Sequence, residues 1–403
     1  MNQRREADVL PFPQAPEAVE LRHLRSFVAV AEELNYTRAA ERLHLSRPAL
    51  SRQISHLERL VGVQLLRRTT HHVELTVAGE ALLERAHALL GDIDAAIRTT
   101  QAVGGQLVGR VARLWDPIVD RFNAQAGIEP TRAAFEAMHA QFDPPDGITA
   151  TPVVAGGVSS LVLAGDGESP LSILFVHGGA HVMGSAFGFR HLAGAFAATT
   201  GSAVLVPDYR LAPEHTFPAD LDDVRASFEW LLDQGPDPSQ TAIVAESSGA
   251  VLALGLLLAR RDAGEPMPGR LALLCPWLDL TWPYPYPSPD LERAVAHMRE
   301  WTNLYLDGHP IDDPLLDAMV ADLRGLPPTL VQAATGDGLL DETRGLVEHA
   351  TSSGLEAHLE LYPTDVHGFQ MFWSFLPEAA DAIARAAHFC RTGQPLPDEP
   401  DTP

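Results

Sequence analysis

Apolar and polar positions along the chain follow two different rhythms. Over 21–34, Leu21, Leu24, Phe27, Val28, Val30 and Ala31 recur at helical spacing, which predicts an amphipathic helix. A second short helix fits 37–43, and a longer one runs from about Pro48 to Val61. Ser46 can cap that helix, and Pro48 suits its first turn, where a missing N–H costs nothing. LLRRTTHHVELT (65–76) reads as a two-stranded wing. Residues 78–100 then read as one long helix with Leu82, Leu83, Ala86, Leu89, Leu90, Ile93 and Ile97 along one side. It stops near Gly104–Gly105, where a domain boundary is placed.

Residues 106–150 look helical and then loop-like, closing with DPPDG. From there strands alternate with helices. Strand candidates are LSILFV (171–176), SAVLVPDY (202–209), TAIVA (241–245), LALLC (271–275), TLVQAAT (329–335) and LEAHLELY (355–362). The helices between them predict an α/β fold, a mostly parallel sheet covered on both faces. A Pro-rich stretch within 281–320, WPYPYPSPD, interrupts the alternation as an insertion. The expected organisation is a disordered arm (1–20), a helical module with a wing (21–77), a linker helix (78–104), cap helices (105–150), an α/β domain (151–393) and a disordered tail (394–403).

Composition narrows the class. No run of eighteen apolar residues occurs, and the first twenty residues mix charge with proline, unlike a signal peptide; both argue for a cytoplasmic location away from membranes. Two cysteines, Cys275 and Cys390, make neither a disulfide framework nor a metal site, so no metal or other cofactor is expected. The net charge of −24 is unevenly placed: 1–105 hold 13 Arg against 13 acids, and the remainder 16 Arg against 40. Residues 21–77 carry nine Arg and five acids, and the chain has no lysine. An acidic body does not favour DNA, yet a small basic module at one end can still bind it.

The strand TAIVA runs directly into Glu246-Ser247-Ser248-Gly249-Ala250 and then an apolar helix. A serine at a strand–turn–helix with small neighbours is a nucleophile elbow, which exposes the hydroxyl at the C-terminal edge of the sheet. His177-Gly178-Gly179-Ala180 follows another strand, where backbone N–H groups can converge on a developing oxyanion; a plain glycine turn is the alternative. Asp337 and His367 each follow a later strand, in the order Ser, Asp, His expected of α/β-hydrolases.

On these motifs, residues from about 150 to 392 resemble the hormone-sensitive-lipase-like family of bacterial esterases. HGGA stands for that family's HGGG, DYRLAPEHTFPA (208–219) is nearly its hallmark segment, AESSGA (245–250) stands for GDSAGG and DGLLDE (337–342) for DPLxDE, while HGF (367–369) is intact. The resemblance implies Ser247 as nucleophile, His367 as base and Asp337 as its orienting acid, with Asp341 a competing acid. It implies oxyanion donors at Gly178 or Gly179, Ala180 and Ser248, with Asp208, Tyr209 and Glu214 supporting the loop. Short-chain esters or lactones are the implied substrates, and N-terminal helices (106–150, with part of 281–320 a further candidate) the implied cap. Ala180, Ala245 and Ala250 replace glycines and Gly338 replaces a proline. An oxyanion hole tolerates Ala180 if its φ is negative.

Residues 21–100 resemble the winged helix-turn-helix of LysR-type transcriptional regulators, through FVAVAEE, TRAAERLHLS, PALSRQISHLE, GVQLLRR and LTVAGE. The resemblance implies that Thr37 caps the second helix and that Ala39 and Ala40 permit close crossing. It implies a third helix in the major groove of double-stranded DNA, with Arg47, Pro48, Ala49, Ser51 and Arg52 near bases or phosphates, and Arg67, Arg68 and His71 approaching the backbone from the wing. The helix 78–100 would pair with its copy in a homodimer or higher oligomer, or else pack on the α/β domain. Three functions follow: a DNA-binding regulator that also hydrolyses a small ester or lactone, a regulator whose hydrolase fold only senses a ligand, and an esterase whose helix-turn-helix is a dimerisation appendage.

Overall fold

The computed structural model describes residues 19–90 apart from 44, 69–72, 84 and 88, ten positions between 107 and 121, and 127–397 apart from 282–288; Arg68 and 289–295 are described by backbone alone. The expected N-terminal arm, His71, most of the linker helix beyond Leu90, the WPYPYPS stretch and the end of the tail lie outside the described residues. The chain divides into two compact units, 1–106 and 107–403.

In the first unit, α1 (Leu21–Glu33), α2 (Tyr36–Arg42) and α3 (Arg47–Val61) precede a hairpin of β1 (Leu66–Arg68) and β2 (Val73–Leu75). Phe27, Val30, Ala39, Leu50, Ile54, Leu57 and Leu65 close its core, each fully buried. The alanines of α2 leave room for that close packing. Ser46 caps α3 by accepting the Ala49 N–H at 3.3 Å. Thr37 does not cap α2. Asn35 does, accepting the N–H groups of Thr37 and Arg38, because α2 begins one residue earlier than expected. An Asn carbonyl satisfies the same unpaired donors that a Thr hydroxyl would.

The second unit is built on an eight-stranded sheet: β3 (Thr149–Ala155), β4 (Val158–Ala164), β5 (Ser172–Val176), β6 (Ala203–Pro207), β7 (Thr241–Glu246), β8 (Arg270–Leu274), β9 (Thr329–Ala334) and β10 (Ala357–Tyr362). Their order is β10-β9-β8-β7-β5-β6-β4-β3. From β6 to β10 every pairing is parallel, while β3–β4 and β4–β6 are antiparallel. The antiparallel hairpin β3–β4 was not expected from the sequence. Its strands are half-exposed and short of an apolar run, but Gly156-Gly157 at its turn, both with positive φ, is a hairpin signature.

Beside the sheet lie α4 (Ile128–His139), α5 (Arg190–Thr200), α6 (Ala219–Asp233), α7 (Gly249–Ala263), α8 (Pro289–Leu306), α9 (Leu340–Ser352) and α10 (Pro377–Thr392). The central β7 is buried at every position, and α7 behind it is almost wholly apolar. That packing fixes where the β7–α7 turn stands. Among the described residues, no helix is long and apolar enough to cross a membrane.

Candidate active site

Ser247 sits in the turn between β7 and α7, with φ 50, in the left-handed region that costs an L-residue about 1–2 kcal/mol. The surroundings hold it there. Its N–H donates to Leu274 O and its carbonyl accepts the Trp277 N–H, each at 3.0 Å. Two residues on, Gly249 is required because a β-carbon would run into the Val176 carbonyl.

Strand order brings two distant side chains to this serine. Asp337 follows β9, and His367 follows β10. His367 Nδ1 lies 2.8 Å from Asp337 Oδ2, and Ser247 Oγ lies 2.9 Å from His367 Nε2. An ionised carboxylate only accepts, so Nδ1 carries the proton and Nε2 is left to accept from the serine hydroxyl. The Leu339 N–H fixes the other carboxylate oxygen at 3.0 Å. Asp341, the competing acid, is exposed in the first turn of α9 and makes no such bond.

The charges favour a basic imidazole. Burial by itself would lower the His367 pKa, but the Asp337 carboxylate, with Glu246 and Glu342 nearby, raises it to about 9. Burial likewise opposes ionisation of Asp337, and the His367 charge holds its carboxyl below the usual range. Glu246 and Glu342 are carboxyls that motif reading left without a role. Burial pushes Glu246 to about 7 and Glu342 to about 8. Glu342 accepts the Leu278 N–H at 2.8 Å, so it braces the loop after β8.

The loop 177–186 faces the turn. Gly179 has φ 122 and no room for a β-carbon against Met183 O. Ala180 has φ 54, so the condition for an unstrained alanine there, a negative φ, is not met. The Gly178 backbone engages the Glu246 carboxyl. Ser248 is fully buried at the start of α7, whose N-terminus favours negative charge. Asp208, Tyr209 and Glu214 all brace this loop. Tyr209 donates to His177 O at 2.7 Å and stacks on the His177 ring, whose pKa burial lowers to about 4. Asp208 accepts the Ala186 N–H at 2.9 Å. Glu214 pairs with Arg132 of α4, a residue sequence reading missed. Arg132 also donates to Val182 O at 2.5 Å and Ala212 O at 2.7 Å, tying α4 to the loop. Within α4 the sequence offers only its i,i+3 partner Glu129, because the partners that tie it to the loop lie fifty and about eighty residues away.

In the first unit, Arg47, Pro48 and Arg52 are exposed along one side of α3, and Ala49 and Ser51 are half-buried beside them. Leu50, Ile54 and Leu57 occupy the opposite, buried side. Thr37 and Arg67 are exposed; the Arg68 side chain lies outside the described residues. Among the described residues, Arg47, Arg52 and Arg67 have no ion pair.

A family model described as alpha/beta hydrolase fold matches residues 173–371, and one described as bacterial regulatory helix-turn-helix protein, lysR family, matches 21–80. An acetyl-hydrolase of Streptomyces hygroscopicus is 32% identical over 273 residues, which is 66% of this chain and 90% of the relative. An esterase of Acinetobacter venetianus is 34% identical over 243 residues, 59% of this chain and 80% of the relative. Among solved structures, an esterase from the bacterial hormone-sensitive lipase family is 33% identical and superposes with a TM-score of 0.61, over 69% of this chain and 97% of its own. With the eight-stranded sheet and its serine turn already described, these matches show that the chain belongs to the α/β-hydrolase fold family, in its bacterial hormone-sensitive-lipase branch, and that a lysR-family regulatory helix-turn-helix precedes the hydrolase in the same chain.

Proposed function

We propose that this protein is a DNA-binding regulator whose hydrolase part cleaves small carboxylic esters or lactones through Ser247, His367 and Asp337. The observation that carries the reading is the unbroken hydrogen-bonded line from Ser247 Oγ through the imidazole to Asp337. In this mechanism His367 Nε2 takes the serine proton as Oγ attacks the ester carbonyl. Asp337 stabilises the imidazolium, which then protonates the departing alkoxide. Water, deprotonated by the same nitrogen, releases the acid and restores Ser247. The N–H groups of Gly179, Ala180 and Ser248 receive the oxyanion. Gly178 is the weaker candidate, because its backbone already engages Glu246.

The unpaired arginines on α3 and β1 support DNA binding by 21–77, with Arg47, Pro48, Ala49, Ser51 and Arg52 toward the groove, Thr37 at its margin, and Arg67 and Arg68 on the wing. A regulator of this kind works in the cytoplasm, and a homodimer built on the helix after Thr76 suits paired half-sites. Hydrolysis of p-nitrophenyl acetate and butyrate by the wild type and Ser247→Ala tests the enzyme, and footprinting with Arg52→Ala tests the regulator. Wild type that neither turns over these esters nor binds its own upstream DNA would overturn the reading.

One observation favours a second reading, a hydrolase fold kept for sensing. Ala180 stands at φ 54, where glycine is free of strain. Turnover that Ser247→Ala abolishes, with DNA binding intact, rules this out.

A further inference from the structure

Behind the serine site, a third kind of side chain meets the acid and the base. Cys275 directly follows β8 with φ 44, is 1% exposed, and is pinned by its own N–H, which donates to Gln332 O at 2.7 Å. Its thiol donates to Gln370 Oε1 at 3.5 Å and lies against the Asp337 carboxylate. The Cys275 Sγ, a carboxylate oxygen of Asp337 and a ring nitrogen of His367 all lie within 4.8 Å of one another. A thiol, a carboxylate and an imidazole together are the donor set that Zn²⁺ prefers, with bonds of about 2.0–2.3 Å. Ligand atoms in a tetrahedral site stand about 3.5 Å apart, so Nδ1 and Oδ2, now 2.8 Å apart, must part slightly to admit the ion, while the sulfur already stands within 4.8 Å of both groups.

We propose that Cys275, Asp337 and His367 form an inhibitory site for a thiophilic divalent cation, zinc above all, that switches the hydrolase off. The inference rests on the reading of His367 as the base. The ion takes the place of the proton between His367 Nδ1 and Asp337. The thiol proton leaves to solvent, the sulfur binds as thiolate, and the imidazole proton moves to Nε2. Thiolate and carboxylate neutralise the two positive charges, so the loaded site is neutral where the free one carries the single charge of Asp337. The Gln370 amide oxygen or a water completes the shell. Catalysis stops because Nε2 now carries a proton and cannot accept the one on Ser247. His367 keeps a third of its side chain at the surface, which provides the way in.

The test is zinc titration of p-nitrophenyl butyrate hydrolysis by the full chain, with EDTA added afterwards. Cys275→Ser and Cys275→Ala are compared, each normalised to its own metal-free rate. Wild type is expected to lose activity with zinc and regain it with EDTA, and both variants to need at least about tenfold more zinc. Equal sensitivity of wild type and both variants would overturn the proposal. Binding is also read without turnover, as the thiolate-to-cobalt absorption band that Co²⁺ gives in Ser247→Ala. The band should survive Cys390→Ser and vanish with Cys275→Ser. A wild type that fails to hydrolyse esters but shows this band overturns the proposed hydrolase and keeps the metal site. Hydrolysis without the band does the reverse.

Discussion

Asp337→Asn exchanges one oxygen for an amide at the end of the hydrogen-bonded line, and its effect can be worked through. Raising His367 from its ordinary 6.5 to about 9 favours the charged ring by roughly 3 kcal/mol at 1.36 kcal/mol per pH unit. Solvent at the exposed third of the ring cuts this to roughly 2 kcal/mol. In the free wild-type enzyme kcat/KM should therefore climb about tenfold per pH unit above neutrality and level off toward about pH 9. The amide removes the main attraction while burial still opposes the charged ring, so the variant's inflection should fall below that of the wild type. Its NH₂ can also face Nδ1 and drive the proton to Nε2, the wrong tautomer, which lowers the plateau by roughly 10³–10⁴. Linkage gives a second readout. A base whose pKa is raised on folding contributes stability below 6.5 that disappears as pH rises through about 9. Wild-type Tm should drop across that window more steeply than that of the variant. The assays are pH profiles of kcat/KM and thermal unfolding. An unchanged inflection in Asp337→Asn would refute the argument, because the shift would then have another source.

Three further outcomes follow from the same geometry. Ala180→Gly relieves a left-handed alanine and should leave stability unchanged or raise it by up to about 1 kcal/mol, since glycine's extra unfolded-state entropy offsets part of the gain; kcat should rise, and a fall of more than a few-fold in kcat counts against strain at this loop. Arg132→Ala strands two carbonyls and Glu214 and should cost about 2–4 kcal/mol in thermal or urea unfolding, with a lower kcat from a loosened oxyanion loop. Glu342 is a buried acid with its pKa raised to about 8, so the native state binds a proton that the unfolded state has lost between 4.5 and about 8, and stability falls as pH rises through that window. Glu342→Gln keeps an acceptor for the Leu278 N–H and should flatten that slope in pH-dependent unfolding.

Much of this was legible in the residues because local chemistry marks it. The serine turn, the HGGA loop and the glycine at 249 announce themselves, since only small residues fit where backbone runs this close. The parallel sheet follows from strands alternating with helices. The β3–β4 hairpin gives no strand signal because its strands, at the margin of the sheet, are partly exposed and lack an apolar run, and the Asn35 cap is not marked out because Asn35 and Thr37, two residues apart, offer the same kind of acceptor. Spatial convergence was beyond local reading. The motif already put the triad acid at Asp337 rather than Asp341, but its distance to His367 comes from the end of β9 lying beside that of β10, and Arg132, Glu342 and Cys275 acquire meaning only from partners distant in sequence. Which residues can do chemistry is readable along the chain, because reactivity and turn geometry belong to a residue and its neighbours. The tertiary structure alone decided which of them meet, how far their pKa values move and that Ala180 stands at positive φ, because burial and contact are properties of the packed chain.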